Sequence, residues 1–267
     1  MTAVLKLGGS LLTEKDTPET VDEAALADAV AAIADAVDAR GDARGVASDD
    51  VGSDGERPTG DDRLVLVHGG GSFGHHHAAA WGVSTTAGTH EAEAVRDVHR
   101  AMTELDDRVV DALLDQGVPA VPVRPLSVGA RDAEGDLSLP LDATRTLLTE
   151  GFVPVLHGDG VAHAGEGVTV VSGDELVVRL ARELDADRVG ACSTVPGVLD
   201  DAGDVIDRID DFDAVADLLG GSDATDVSGG MAGKVRALLD LPASAYVFGP
   251  EGLRAFLEGG DPGTRIG

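Results

Sequence analysis

Lysine is almost missing from this chain. Lysine and arginine together number 20, and only Lys6, Lys15 and Lys234 are lysines. Cysteine is rarer still: Cys192 stands alone, which excludes an intrachain disulfide framework and a cysteine-only metal site. No apolar run approaches the ~20 residues that a membrane helix needs. The opening MTAVLKLGGS goes straight into a strand-like run, without the basic and apolar regions of a signal peptide. These absences predict a cytoplasmic protein with no membrane partner. Positive charge is also scarce, with 49 acidic residues and a net charge of −29. Nucleic acid is therefore excluded as a partner, because phosphate contacts need a basic surface. With 43% hydrophobic residues the chain is not a disordered acidic one. The balance fits a protein adapted to concentrated salt, where a Debye length of ~3 Å screens the repulsion.

What is present is the raw material of one large α/β domain. The chain has 267 residues, enough for a substantial core. Ala3–Leu7, Leu64–His68, Pro119–Val123, Val153–Leu156, Val168–Val171, Arg188–Ala191 and Ala245–Phe248 read as strands. Helical spacing predicts helices over Asp22–Ala39, Thr89–Asp115, Leu141–Glu150, Glu175–Leu184, Asp211–Leu219, Lys234–Leu241 and Pro250–Glu258. Gly41–Asp62 has no periodicity and reads as an acidic loop insertion without chemistry. Ser127–Leu139 reads as a turn-rich or hairpin region, and Gly229–Gly233 as a glycine loop. Alternating strands and helices imply a three-layer αβα sandwich around a mostly parallel sheet. Ligands in such folds collect at the C-terminal strand ends.

Glycine-rich segments occupy those ends. Lys6-Leu7-Gly8-Gly9-Ser10 combines backbone N–H groups with an ammonium, the requirement for an anion site. His68-Gly69-Gly70-Gly71-Ser72-Phe73-Gly74-His75 opens a helix, and His75 lies where it can donate to a bound phosphate. Gly229-Gly230-Met231-Ala232-Gly233-Lys234 is another anion loop with its own lysine. Loops of this kind with separate lysines fit two phosphate groups meeting, as phosphoryl transfer requires. The Walker pattern and the protein-kinase motifs are absent.

The chain resembles the amino acid kinase superfamily along nearly its whole length. Lys6-Leu7-Gly8-Gly9-Ser10 is similar to its opening nucleotide loop, and Ser172-Gly173-Asp174 to its S-G-D element. Gly229-Gly230-Met231 with Lys234 is similar to T-G-G-M-x-x-K, and Gly263-Thr264-Arg265-Ile266 to the closing G-T-x-I strand. The triple glycine ending in Phe73-Gly74-His75 resembles isopentenyl phosphate kinases and the related fosfomycin kinases. There are departures. Ser193-Thr194-Val195-Pro196-Gly197-Val198 replaces T-D-V-D-G-V, Ser228 replaces Thr, and His76 follows His75 where Pro is common.

The resemblance implies ATP-dependent phosphorylation of isopentenyl phosphate, with Mg²⁺ carried on ATP by phosphate oxygens and waters. It implies one kinase domain, with an acceptor lobe over about 1–160 and a nucleotide lobe over about 161–267, and a homodimer. Lys6 and Lys234 would hold the ATP β- and γ-phosphates, and Lys15 would stabilise the group in flight. Lys6, Leu7, Gly8, Gly9, Ser10, Gly71, Thr194, Gly230 and Lys234 would contact ATP. Gly70, His75 and Gly173 would bind the acceptor phosphate. Asp174 would orient the lysines, or else cap the helix that follows it. Asp159 would serve a turn. Ala78–Val83 and the following long helix would wall a pocket for the alkenyl tail, or simply pack.

Three rivals were weighed. His75-His76-His77 is a poor zinc site, because successive helical residues point 100° apart. Gly69-Gly70-Gly71-Ser72-Phe73-Gly74 also satisfies the dinucleotide fingerprint, but the strand with an acidic end expected ~20 residues later is replaced by a helix. A non-catalytic nucleotide sensor would not need all of Lys6, Lys15, His75 and Lys234.

Overall fold

The structure, a computed structural model, describes residues 1–43, 63–219 and 230–267. Of the acidic loop expected over Gly41–Asp62, residues 41–43 instead end helix Glu23–Ala43, and the rest lies outside the described residues, as do Ser228 and Gly229. The strands, in chain order, are β1 (Thr2–Leu7), β2 (Arg63–His68), β3 (Ala120–Pro122), β4 (Ala130–Arg131), β5 (Leu137–Ser138) and β6 (Val153–His157). They continue with β7 (Asp159–His163), β8 (Gly167–Val171), β9 (Arg188–Cys192), β10 (Arg208–Ile209), β11 (Ser244–Phe248) and β12 (Thr264–Ile266). Eight of them form one sheet in the order β10-β12-β11-β9-β1-β2-β6-β3. From β11 to β3 all pairings are parallel, while β12 turns back antiparallel to β11.

Side-chain alternation explains the layers. Ala3, Leu5 and Leu7 of β1, with Leu64 and Leu66 of β2, pack on one face beneath helices Glu23–Ala43 and Ala92–Asp115. Val4, Val65 and Val67 pack on the other face against helices Gly173–Glu183 and Gly230–Leu239. Both faces are covered, which is why these strands read as continuous apolar runs. The result is the expected αβα sandwich.

A four-stranded sheet, ordered β5-β4-β7-β8, projects from the strand ends. Sequence reading predicted the β4–β5 hairpin and β8, but it placed β8 in the main sheet and missed β7. Only Gly158 separates β6 from β7, and the chain leaves one sheet for the other there. The helix expected over Asp211–Leu219 is confined to Ala216–Leu219. Gly230–Gly233, expected as loop, forms the first turn of helix Gly230–Leu239.

Candidate active site

The cleft lies where the strand ends expose backbone. Gly8-Gly9 follows β1, and Gly69-Gly70 follows β2. These turns touch backbone to backbone. A Cβ on Gly69 would lie 2.6 Å from the Gly9 nitrogen, and one on Gly9 would strike the Gly71 nitrogen. Gly71 also takes φ +47°, a left-handed conformation that side chains disfavour. Thr13 ties the turns together. Its hydroxyl donates to the Gly9 carbonyl at 2.9 Å and accepts the Ser72 N–H at 2.9 Å.

A cavity of about 500 Å³ opens above these turns. Of the residues expected at the site, Lys6, Gly8, Gly9, Ser10, Gly70, Gly71, His75, Gly173, Asp174, Thr194, Gly230 and Lys234 all line it. The first residues of helices Gly71–Trp81, Gly173–Glu183 and Gly230–Leu239 line it, and the partial positive charge of a helix N-terminus favours anions there. Gly8 itself is pinned, since its N–H donates to the Cys192 carbonyl at 2.9 Å. Burial pushes the Cys192 thiol up to about 12, so it is inert.

Lys6 Nζ lies 2.7 Å from Asp174 Oδ1. Burial pulls the Asp174 carboxyl upward, but the charges of Lys6 and Lys234 outweigh it and hold it below the ordinary range. The competing expectation for Asp174, a helix cap, is overturned. Ser172 is the N-cap, its hydroxyl accepting from Glu175 N at 3.1 Å, and Asp174 sits in the first turn free to meet the lysine.

Two expected residues are not brought to the cleft. The Leu7 side chain is buried in the core, and only its carbonyl contributes, accepting the Gly69 N–H. Lys15 lies exposed in the turn 14–20, closed by the Thr13–Val21 bridge, and does not line the cavity. That turn is nevertheless anchored. His77 Nε2 meets Glu19 Oε1 at 2.9 Å, and Glu19 N donates to the Ser72 carbonyl. Sequence reading gave His77 no task, because the two residues are far apart in the chain.

The apolar side of the cavity is built from Ala78, Ala79, Val83, Val98 and Met102. Met102 Sδ would lie 3.2 Å from a Cβ on Gly70, so it packs directly against the Gly69-Gly70 turn. Asp159, read as a turn residue, is buried and lines the cavity; its Oδ2 receives His99 Nδ1 at 2.8 Å. Among the described residues no group of three His, Cys, Asp or Glu side chains is arranged to hold a metal ion, and no helix is long and apolar enough to cross a membrane.

Comparison with known proteins agrees with this geometry. A profile of the amino acid kinase family matches residues 1–245. The isopentenyl phosphate kinase of Haloferax volcanii is 60% identical over 264 residues, covering 98% of this chain and 97% of the relative. That of Methanothermobacter thermautotrophicus is 34% identical, covering 89% and 86%. A crystal structure of isopentenyl phosphate kinase superposes with a TM-score of 0.72 at 26% identity, covering both chains completely. The chain belongs to the amino acid kinase family.

Proposed function

We propose that this protein transfers the γ-phosphoryl group of ATP to isopentenyl phosphate, giving isopentenyl diphosphate for isoprenoid synthesis. An acceptor phosphate oxygen forms the new bond to phosphorus, the bond from phosphorus to the bridging oxygen breaks, and ADP leaves. One observation carries the reading: a single cleft joins two lysines, a histidine-bearing glycine turn and an apolar wall. The names of the full-length relatives point the same way.

Lys6 and Lys234 neutralise the ATP β- and γ-phosphates, with Gly8, Gly9, Ser10, Gly71, Thr194 and Gly230 around the nucleotide. Asp174 fixes Lys6 between its carboxylate and the phosphates. Gly70, His75 and Gly173 receive the acceptor phosphate. Because that acceptor is already ionised, no strong general base is needed, and catalysis rests on positioning and charge neutralisation. Mg²⁺ bound with ATP would be held by phosphate oxygens and waters and would shield their charge. The family resemblance gives Lys15 the group in flight, a contact that would exist mainly in the transition state. Of the residues so assigned to the nucleotide, Thr194, Gly230 and Lys234 come from the second half of the chain and the others from the first. The reading includes a homodimer in the cytoplasm, as the family resemblance implies.

The test is a panel of acceptors with ATP consumption measured in molar KCl. Isopentenyl phosphate should be turned over well, and fosfomycin, glutamate and carbamate poorly or not at all. Fosfomycin as the better acceptor would overturn the assignment.

A further inference from the structure

Beneath the acceptor turns lies a set of buried polar side chains to which phosphoryl transfer gives no direct task. β2 ends in His68-Gly69 and β6 ends in His157-Gly158, and the two histidines are register partners in the parallel ladder. Each ring reaches forward to the glycine after it. His68 Nδ1 lies 3.1 Å from the Gly69 carbonyl oxygen, and His157 Nδ1 lies 3.0 Å from that of Gly158. The rings stack with centroids 5.5 Å apart. Asp106, from helix Ala92–Asp115, faces both rings. Its Oδ1 is 3.3 Å from His68 Nε2 and bonds it. Its Oδ2 stands 3.9 Å from His157 Nε2, in electrostatic reach only, and neither of these two buried atoms has a hydrogen-bond partner among the described residues. His68, Asp106 and His157 are all buried, at 1% exposure or less.

Burying a carboxylate with two imidazoles is costly, and an apolar filling would be at least as stable. What the trio does hold is backbone. Gly69 and Gly158 both line the cavity, whereas neither histidine does. The carbonyls that the rings bind are therefore drawn inward, away from the ligand. A carbonyl oxygen aimed at a phosphate dianion repels it, and an N–H attracts it. A carbonyl oxygen only accepts, so His157 Nδ1 donates to that of Gly158, while burial and the neighbouring His68 hold the ring below its ordinary value.

We infer that Asp106, His68 and His157 form a positioning triad that sets the carbonyls of Gly69 and Gly158 away from the cleft, so that the turns present N–H groups to the acceptor's phosphate. The inference rests on the proposed function, because it takes these turns as the acceptor site. The triad touches no substrate and acts through the two glycines.

The test compares Asp106→Asn, His68→Gln, His157→Gln and the double variant Asp106→Asn/His68→Gln in molar KCl. Asp106→Asn and His68→Gln should each lower kcat/KM for isopentenyl phosphate about tenfold or more, the size of a lost charge-assisted hydrogen bond, and His157→Gln several-fold, the size of a lost neutral one. KM for ATP should stay within about twofold. The double variant should fall well short of the product of the two single effects, since residues of one network are not additive. Equal losses for acceptor and ATP, or effects that simply multiply, would overturn the triad and leave only a structural role. A second measurement needs no variant. The hydrogen-bonded imidazole N–H protons of His68 and His157 should shift in proton spectra of the wild type on adding acceptor, but not on adding ADP alone. Unmoved resonances would overturn it as well. The wild type run alongside separates the two readings. Should it prefer another acceptor from the panel, the function is wrong, and the variant ratios are read on that acceptor instead. A wild type that phosphorylates none of them sinks both.

Discussion

Two glycines of one helix make a controlled experiment. Gly71 opens helix Gly71–Trp81 at φ +47°, and Gly82 closes it at φ +65°. An alanine at either position meets the left-handed penalty of roughly 1–2 kcal/mol. At Gly82 nothing lies within 4 Å of the added Cβ, so the penalty ends there. At Gly71 the Cβ would strike Thr13 Oγ1, and it would come within 2.6 Å of the Gly9 carbonyl oxygen. Thr13 must then give up its hydrogen bonds to Gly9 and Ser72, each 2.9 Å long. At about 0.5–1.5 kcal/mol per bond, the added loss brings the total to roughly 2–5 kcal/mol. A domain of this size loses about 2–4 °C of Tm per kcal/mol. Thermal unfolding in molar KCl should therefore show Gly82→Ala melting a few degrees low and Gly71→Ala on the order of 10 °C low. Activity separates them further. Gly71→Ala should push the Gly8-Gly9 and Gly69-Gly70 turns apart and, on the proposed function, lose most of kcat/KM, while Gly82→Ala should keep it. Equal melting losses with equal activities would refute the claim that backbone contact between the two turns organises the site.

The net charge of −29 implies that the fold is more stable in molar KCl than in dilute buffer; equal or greater stability at low salt would refute the halophilic reading. Lys15→Ala should lower kcat far more than it raises KM for ATP, whereas Lys6→Ala and Lys234→Ala should damage both, and a normal kcat in Lys15→Ala would remove its assigned role. His75→Ala should cut kcat/KM for isopentenyl phosphate roughly ten- to a hundredfold, with His75→Gln retaining more, so unchanged acceptor kinetics would sink it. The hydrogen bond to Asp159 holds His99 above its ordinary value although burial pulls it down. Stability from this pair is full below the ordinary imidazole value and fades as pH rises through the raised one; a His99→Asn variant should flatten that part of the stability–pH curve, and an unchanged curve would refute it.

Much of this architecture was legible because sheet and helix periods report which face is buried. Val4 and Val65 alternate with Leu5 and Leu66, so both faces of the sheet could be anticipated from the spelling of β1 and β2. The glycine turns were legible for a different reason. Only close backbone approach explains consecutive glycines at strand ends, and Gly9 against Gly71 is such a contact. Local composition misled where tertiary pairing decides. His157-Gly158-Asp159-Gly160 carries turn residues, yet Asp159 and Gly160 pair with Val171 and Val170 in β7–β8. Gly230 to Gly233 looks like loop, yet it starts a helix whose inner face, Val235 and Leu238, is buried.

Partners distant in sequence were the harder loss, because periodicity names a face and not what that face meets. Lys15 was placed by motif alone. The pair that anchors its turn, Glu19 with His77, joins residues with no shared pattern. Asp106 is the instructive case. It falls four residues after Met102 and one after Leu105, so the helical period already puts it on the inward stripe. A carboxylate on an inward stripe needs partners, since an unpaired one would not stay buried. Two neighbouring parallel strands each end in His-Gly, and a parallel ladder places such ends side by side. The inward place of the aspartate and the two His-Gly strand ends were readable in the sequence, whereas the adjacency of β2 and β6 that brings them together beneath the turns belongs to the sheet order. They were missed because each residue was judged within its own element, whereas buried polar groups have to be judged by what must satisfy them.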